Sequence, residues 1–125
     1  MSPQDSLTQM VIGSAIEVHR ELGPGLLESV YQKCLNHELR FRGLEFTPQF
    51  RLPVTYKGLV LDEEAYRIDF YFPRALVLEI KAVDSLIPVH EAQLLTYLKL
   101  SRTHIGLLIN FNVRLLKEGI KRMVL

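Results

Sequence analysis

The stretch Ala75-Leu76-Val77-Leu78-Glu79-Ile80-Lys81-Ala82 decides how the rest of the chain is read. Its apolar run is that of a buried strand. Side chains alternate faces along a strand, so Glu79 and Lys81 share one face, about 6–7 Å apart along the chain, while Ile80 points into packing. A charge left unpaired beside a buried run is costly, so the acid and the amine need partners or a task. Upstream, Tyr66-Arg67-Ile68-Asp69-Phe70-Tyr71-Phe72 reads as a second strand with an acid in its middle. Pro73-Arg74 between the two runs is a hairpin turn. Pairing then places Asp69 opposite Glu79 or within a residue or two of it. Two carboxylates and a lysine converge on one patch.

The whole chain bounds what that patch can belong to. Its 125 residues, 48% hydrophobic and 23% charged, suit one domain with one core, so residues 1–125 are read as a single unit. The net charge of +1 gives no global basic field, so a polyanion would be held by a local patch or a metal. The one cysteine, Cys34, has no internal partner for a disulfide, which fits a reducing compartment. Neither a signal peptide nor a membrane span is recognisable, and the expected location is cytoplasmic.

Spacing predicts a helix over 6–22, capped by Ser6 or Asp5, with Leu7, Met10, Val11, Ser14, Val18 and Leu22 near one face. Gly23-Pro24-Gly25 ends it. A second helix is predicted over 26–42, closed by Gly43, with Glu28 in its first turn and Tyr31 one turn on. An acid there also suits the helix dipole. Phe46 to Tyr56 is β territory, held to an edge or an irregular strand by Pro48 and Pro53. Lys57-Gly58 turns, Leu59-Val60-Leu61 continues outward, and Asp62-Glu63-Glu64 breaks the apolar pattern. After Lys81 comes a connection, then a helix over 89–100 that places Gln93 and Tyr97 on one side. A buried strand follows at 104–110, and a weaker one at 120–124. This order gives an α/β fold with a mixed sheet, in which the unit 75–110 is long enough for a parallel crossover.

Asp and Glu oxygens suit Mg²⁺, and the Ile80 carbonyl could add a ligand. Such a metal polarises a phosphoryl oxygen and yields a nucleophilic water near neutral pH, with Lys81 to orient that water or stabilise negative charge. The same residues also describe a salt-bridged cluster at a sheet end, and the short motif alone leaves both readings open. His19, His37 and His104 lack partners at zinc-ligand spacing. His90 reads as a helix-start or surface residue, and Cys34 as a buried structural thiol.

Asp69, a hairpin and Glu79-Ile80-Lys81 resemble the PD-(D/E)xK nuclease superfamily. Gly25-Leu26-Leu27-Glu28-Ser29-Val30-Tyr31 is similar to the GxxExxY signature of one family placed in it. Tyr56-Lys57-Gly58, the run Glu91 to Leu98, and Gly106-Leu107-Leu108-Ile109-Asn110-Phe111 also resemble that family's blocks. The resemblance implies a restriction-endonuclease-like αβββαβ core with a mixed central sheet flanked by helices, plus an extra N-terminal helix. It implies Asp69 and Glu79 as metal-binding acids, Lys81 as the catalytic lysine, Glu28 as a further acid completing the metal site, and Gln93 as the helix glutamine beside the lysine. Tyr31 and Tyr97 would line the pocket or pack against it. Ile68 stands where the superfamily's name puts proline.

The expected activity is Mg²⁺-dependent phosphodiester hydrolysis of DNA or RNA, with Mn²⁺ as a second candidate ion. The alternative is a nucleic-acid-binding or assembly module that keeps the nuclease fold without turnover. A third is an interaction domain with a salt-bridged acid cluster. The exposed edge at 46–56 offers a pairing surface for a homodimer.

Overall fold

The computed structural model describes residues 2–61 and 66–125, so the acidic run Asp62-Glu63-Glu64 lies outside the described residues. In chain order come α1 (Pro3–Leu22), α2 (Glu28–Phe41), β1 (Thr47–Arg51), β2 (Val54–Tyr56), β3 (Leu59–Leu61), β4 (Arg67–Phe72), β5 (Leu76–Lys81), α3 (Pro88–Ser101), β6 (Ile105–Asn110), a 3₁₀ turn (Leu116–Gly119) and β7 (Ile120–Val124). Five strands form one sheet in the order β1-β4-β5-β6-β7, while β2 and β3 pair only with each other. Three of the neighbouring pairs are antiparallel and β5–β6 is parallel, joined through α3. This is the expected α/β architecture with its mixed sheet and additional N-terminal helix.

Two apolar layers sandwich the sheet. On one face, Val11, Ala15 and Val18 of α1 and Tyr31, Leu35 and Leu39 of α2 pack against Phe70, Phe72, Leu76, Leu78, Ile80, Leu107 and Ile109. On the other, Leu94, Tyr97 and Leu98 of α3 cover Ile68, Val77 and Leu108. The central strands β5 and β6 are buried on both faces, as continuous apolar runs require. β1 lies at the edge of the sheet, the place that tolerates Pro48.

The helix starts differ from the sequence expectation. α1 begins at Pro3, with Ser2 as its cap: the Ser2 Oγ accepts from Asp5 N at 3.1 Å, and proline suits the first helical position. α2 begins at Glu28 because Gly23–Leu27 is held as a turn, with the Tyr31 hydroxyl accepting from Leu26 N at 3.2 Å and donating to the Gly23 carbonyl. α3 begins at Pro88, where His90 Nδ1 accepts from Ile87 N at 3.1 Å, so His90 does serve the helix start. The weakly patterned last strand forms at Ile120–Val124 and pairs with β6. Among the described residues no helix is long and apolar enough to cross a membrane.

Candidate active site

The pairing of β4 with β5 runs from Phe72–Leu76 to Phe70–Leu78 and stops there. The next pair in that register is Asp69 with Glu79. Their carboxylates take over the hydrogen bonds that the ladder gives up. Glu79 Oε2 accepts from Asp69 N at 2.6 Å, and Asp69 Oδ2 accepts from Ile80 N at 2.9 Å. Charge-assisted bonds of this kind are stronger than neutral ones, so the opening of the strand pair is held rather than frayed. Two acids become locked side by side where the strands part.

Asp69 is also where β4 changes faces. Ile68 packs with the α3 layer, whereas Phe70 packs with α1 and α2. Residues two apart on a regular strand would share a face. The neighbouring strand shifts at the same level: Phe46 joins the α1–α2 layer, while Phe50 and Leu52 join the α3 layer. Gln49 lies between them with φ at +50°, a left-handed conformation that non-glycine residues seldom adopt. The β1–β4 pairing runs through Pro48–Phe70 and Phe50–Ile68 but omits Gln49–Asp69. Gln49 and Gln32 both hydrogen-bond the Asp69 carboxylate, and Gln49 Nε2 donates to Gln32 Oε1 at 2.8 Å. Gln32 hydrogen-bonds Glu28 as well. These glutamines tie α2 and β1 to the acid patch. Sequence reasoning missed both. The i,i+4 spacing of Glu28 and Gln32 on one helix was a usable signal for Gln32, and nothing local marked Gln49.

The electrostatics follow from this crowding. Burial pushes the Glu79 carboxyl well above the ordinary range, and the Asp69 charge adds to the shift; the residue is only 4% exposed. Burial raises Asp69, opposed by its bond from the Ile80 backbone and by the Gln32 amide. Glu28 rises through burial and then through Asp69, with Lys81 pulling the other way. The three acids thus feel one another's charge. The Tyr97 hydroxyl is pushed up to about 12, first by burial and then by the fields of Glu79 and Asp69.

Lys81 projects from the end of β5 on the α3 side, and its Nζ donates to Gln93 Oε1 at 3.4 Å. The backbone carries it rigidly, because the Lys81 carbonyl accepts from Phe111 N at 2.8 Å. The buried side chain of Asn110 clasps the following segment. Its Oδ1 accepts from Val83 N at 3.1 Å and its Nδ2 donates to Val83 O at 2.9 Å. Asp69, Glu79, Lys81, Gln93 and Glu28 are therefore neighbours. Tyr97 is buried beside them and hydrogen-bonds the Arg67 backbone. Tyr31 has no exposed surface; it stacks on Phe111 at 4.7 Å and braces the turn that leads into Glu28.

Asp69, Glu79 and Glu28 offer hard carboxylate oxygens, all three shifted toward protonation chiefly by burial. That chemistry fits a divalent cation such as Mg²⁺. Among the described residues no three His, Cys, Asp or Glu side chains are already gathered into a metal-holding group.

No curated protein and no solved structure matches this chain. A family model for the PD-(D/E)XK nuclease superfamily matches residues 5–123. With almost the full length matched, the chain belongs to the PD-(D/E)XK nuclease superfamily.

Proposed function

We propose that the protein is a metal-dependent nuclease that hydrolyses phosphodiester bonds of DNA or RNA, of the GxxExxY kind within its superfamily. The observation that carries this reading is the interlocked Asp69–Glu79 pair, with Lys81 on the same strand and Glu28 within the same field. Asp69, Glu79, Glu28 and the Ile80 carbonyl would hold Mg²⁺, with Mn²⁺ as the other candidate. A bound cation of this type supplies Lewis acidity and a water acidic enough to act as nucleophile.

The remaining roles belong to the chain. Asp69 and Glu79 are placed before any ligand arrives, because backbone N–H groups of opposite strands hold them. Lys81 presents an ammonium beside the acids, where it can orient a water or stabilise negative charge on a phosphate. Gln93 steers that ammonium from α3. Gln49 lies where the β1–β4 pairing is skipped, and its amide reaches the Asp69 carboxylate.

Isothermal titration of Mg²⁺ and Mn²⁺ into the wild type and Asp69→Asn tests the site, followed by cleavage assays with Lys81→Ala. Binding in the wild type alone, and a rate lowered at least about 100-fold by Lys81→Ala with unchanged melting, is the expected result. Cation binding that survives Asp69→Asn, or cleavage that survives both substitutions, would refute the assignment.

A further inference from the structure

A cavity of about 500 Å³ opens beside the turn that precedes Glu28. Its walls include Ile16, Arg20, Pro24, Arg114, Leu115 and Lys117, so three basic side chains line it, and among the described residues no acid does. Arg20 makes one loose ion pair with Glu17 at 3.8 Å, and its side chain is 73% exposed. The side chains of Arg114 and Lys117 have no acidic partner among the described residues. The negative end of α1 lies here, and Arg20 in its last turn answers that half charge. Arg114 and Lys117 come from a different segment and exceed what the dipole requires. Ile16, Pro24 and Leu115 give the cavity apolar sides, which focus a positive field rather than letting water disperse it.

One turn of the chain links the cavity to the acid patch. Gly23 and Pro24 line the cavity, and the same turn runs on to Glu28, no more than about 18 Å of extended chain away. Gly25 N donates to Asn112 Oδ1 at 3.0 Å, which fixes the turn against the segment carrying Arg114. On that segment, Phe111 N is bonded to the Lys81 carbonyl, three residues before Arg114. Phosphates of one strand follow each other at about 3.4 Å of rise in a duplex, so that upper bound corresponds to no more than roughly five nucleotides.

We infer that this cavity is a phosphate-binding subsite, in which Arg20, Arg114 and Lys117 hold the sugar-phosphate backbone of a nucleic-acid strand a few nucleotides from the bond at the acid patch. The inference rests on the nuclease reading of that patch.

The test is binding of fluorescein-labelled 20-nucleotide DNA and RNA, single- and double-stranded, in EDTA across a salt series. Wild type is compared with the double variant Arg114→Gln/Lys117→Gln. The expected result is an affinity about ten-fold lower for every sequence. The slope of log affinity against log salt should become shallower by about 0.7–0.9 for each phosphate that the variant no longer neutralises. The cation binding of the acid patch and the melting temperature should be those of the wild type. Unchanged affinity and slope in the double variant would overturn the inference. So would displacement of the oligonucleotide by adenosine monophosphate at equal phosphate concentration, which would assign the cavity to a free nucleotide. If the wild type binds no oligonucleotide, the subsite fails, and Mg²⁺ titration then decides separately whether the metal site stands.

Discussion

Gln49 faces Asp69 across the β1–β4 interface at the level where backbone pairing is skipped and both strands change the layer they pack against. Its left-handed φ of +50° is the local cost of that arrangement. Strain held at such a position marks a place where the surroundings over-determine the backbone, and here its product is the orientation of one carboxylate.

Substitutions at Gln49 separate the backbone from the amide. Gln49→Gly keeps the left-handed conformation open and removes the bond to Asp69. Gln49→Val puts a β-branched residue where positive φ is a genuine outlier and should cost about 1 kcal/mol of stability beyond what glutamine already bears. Both variants should bind Mg²⁺ more weakly than wild type, and only the valine variant should lose stability on this scale in urea unfolding. Full cation affinity in Gln49→Gly would show that the amide positions nothing.

Glu79→Gln tests the stored charge. The Glu79 carboxyl titrates well above its ordinary 4.5 in the folded protein, so between that value and its native one the folded state holds the proton more tightly than the unfolded state. Stability from this group therefore falls as pH rises through the window, and the penalty is complete above the native value. Glutamine keeps an oxygen for the Asp69 N–H and carries no charge. In metal-free buffer the variant should be more stable than wild type at pH 8, with the gap closing as pH falls toward about 4.5. Parallel denaturant melts at several pH values measure the gap, and a difference independent of pH would rule out this account.

Asn110→Asp replaces the donor to the Val83 carbonyl with a second oxygen in a site only 2% exposed. The expected loss is about 1–3 kcal/mol. The clasp lies just beyond Lys81, so cleavage should fall further than the loss of stability alone would predict. A variant within about 0.5 kcal/mol of wild type would mean that Asn110 merely fills space.

Glycines at two positions should respond in opposite senses to alanine. At Gly119 an added Cβ would run into the Asn110 backbone carbonyl, which cannot swing aside, and Val113 Cγ2 stands at 3.1 Å. Gly119→Ala should cost about 1–3 kcal/mol. At Gly13, within α1, the nearest atom is the flexible Arg42 Nη1 at 3.4 Å. Gly13→Ala should gain up to about 1 kcal/mol through helix propensity. Thermal melts of both variants give the comparison.

The order of elements could be read from the residues alone, because apolar periodicity and turn residues act over short range. The hairpin 66–82, the double-sided burial of 76–81 and 105–110, and the crossover through α3 were all legible in that way. Asp69 and Glu79 were expected within a residue or two of each other; the turn read as Pro73-Arg74 takes in Ala75 as well, with Arg74 left-handed at φ +64°, and that third residue is what sets Asp69 level with Glu79. Glu28, Gln93 and the tyrosines entered through resemblance, because their spacing alone suited a dipole partner or a buried helix face equally well. Three relationships appear first in the folded chain: the carboxylates exchange bonds with each other's strands, the Gln49 amide reaches Asp69, and Arg114 meets Arg20 in one cavity. Those relationships join residues far apart in the chain. They depend on which faces pack together, and no local pattern encodes a distance between surfaces that meet only when the core closes.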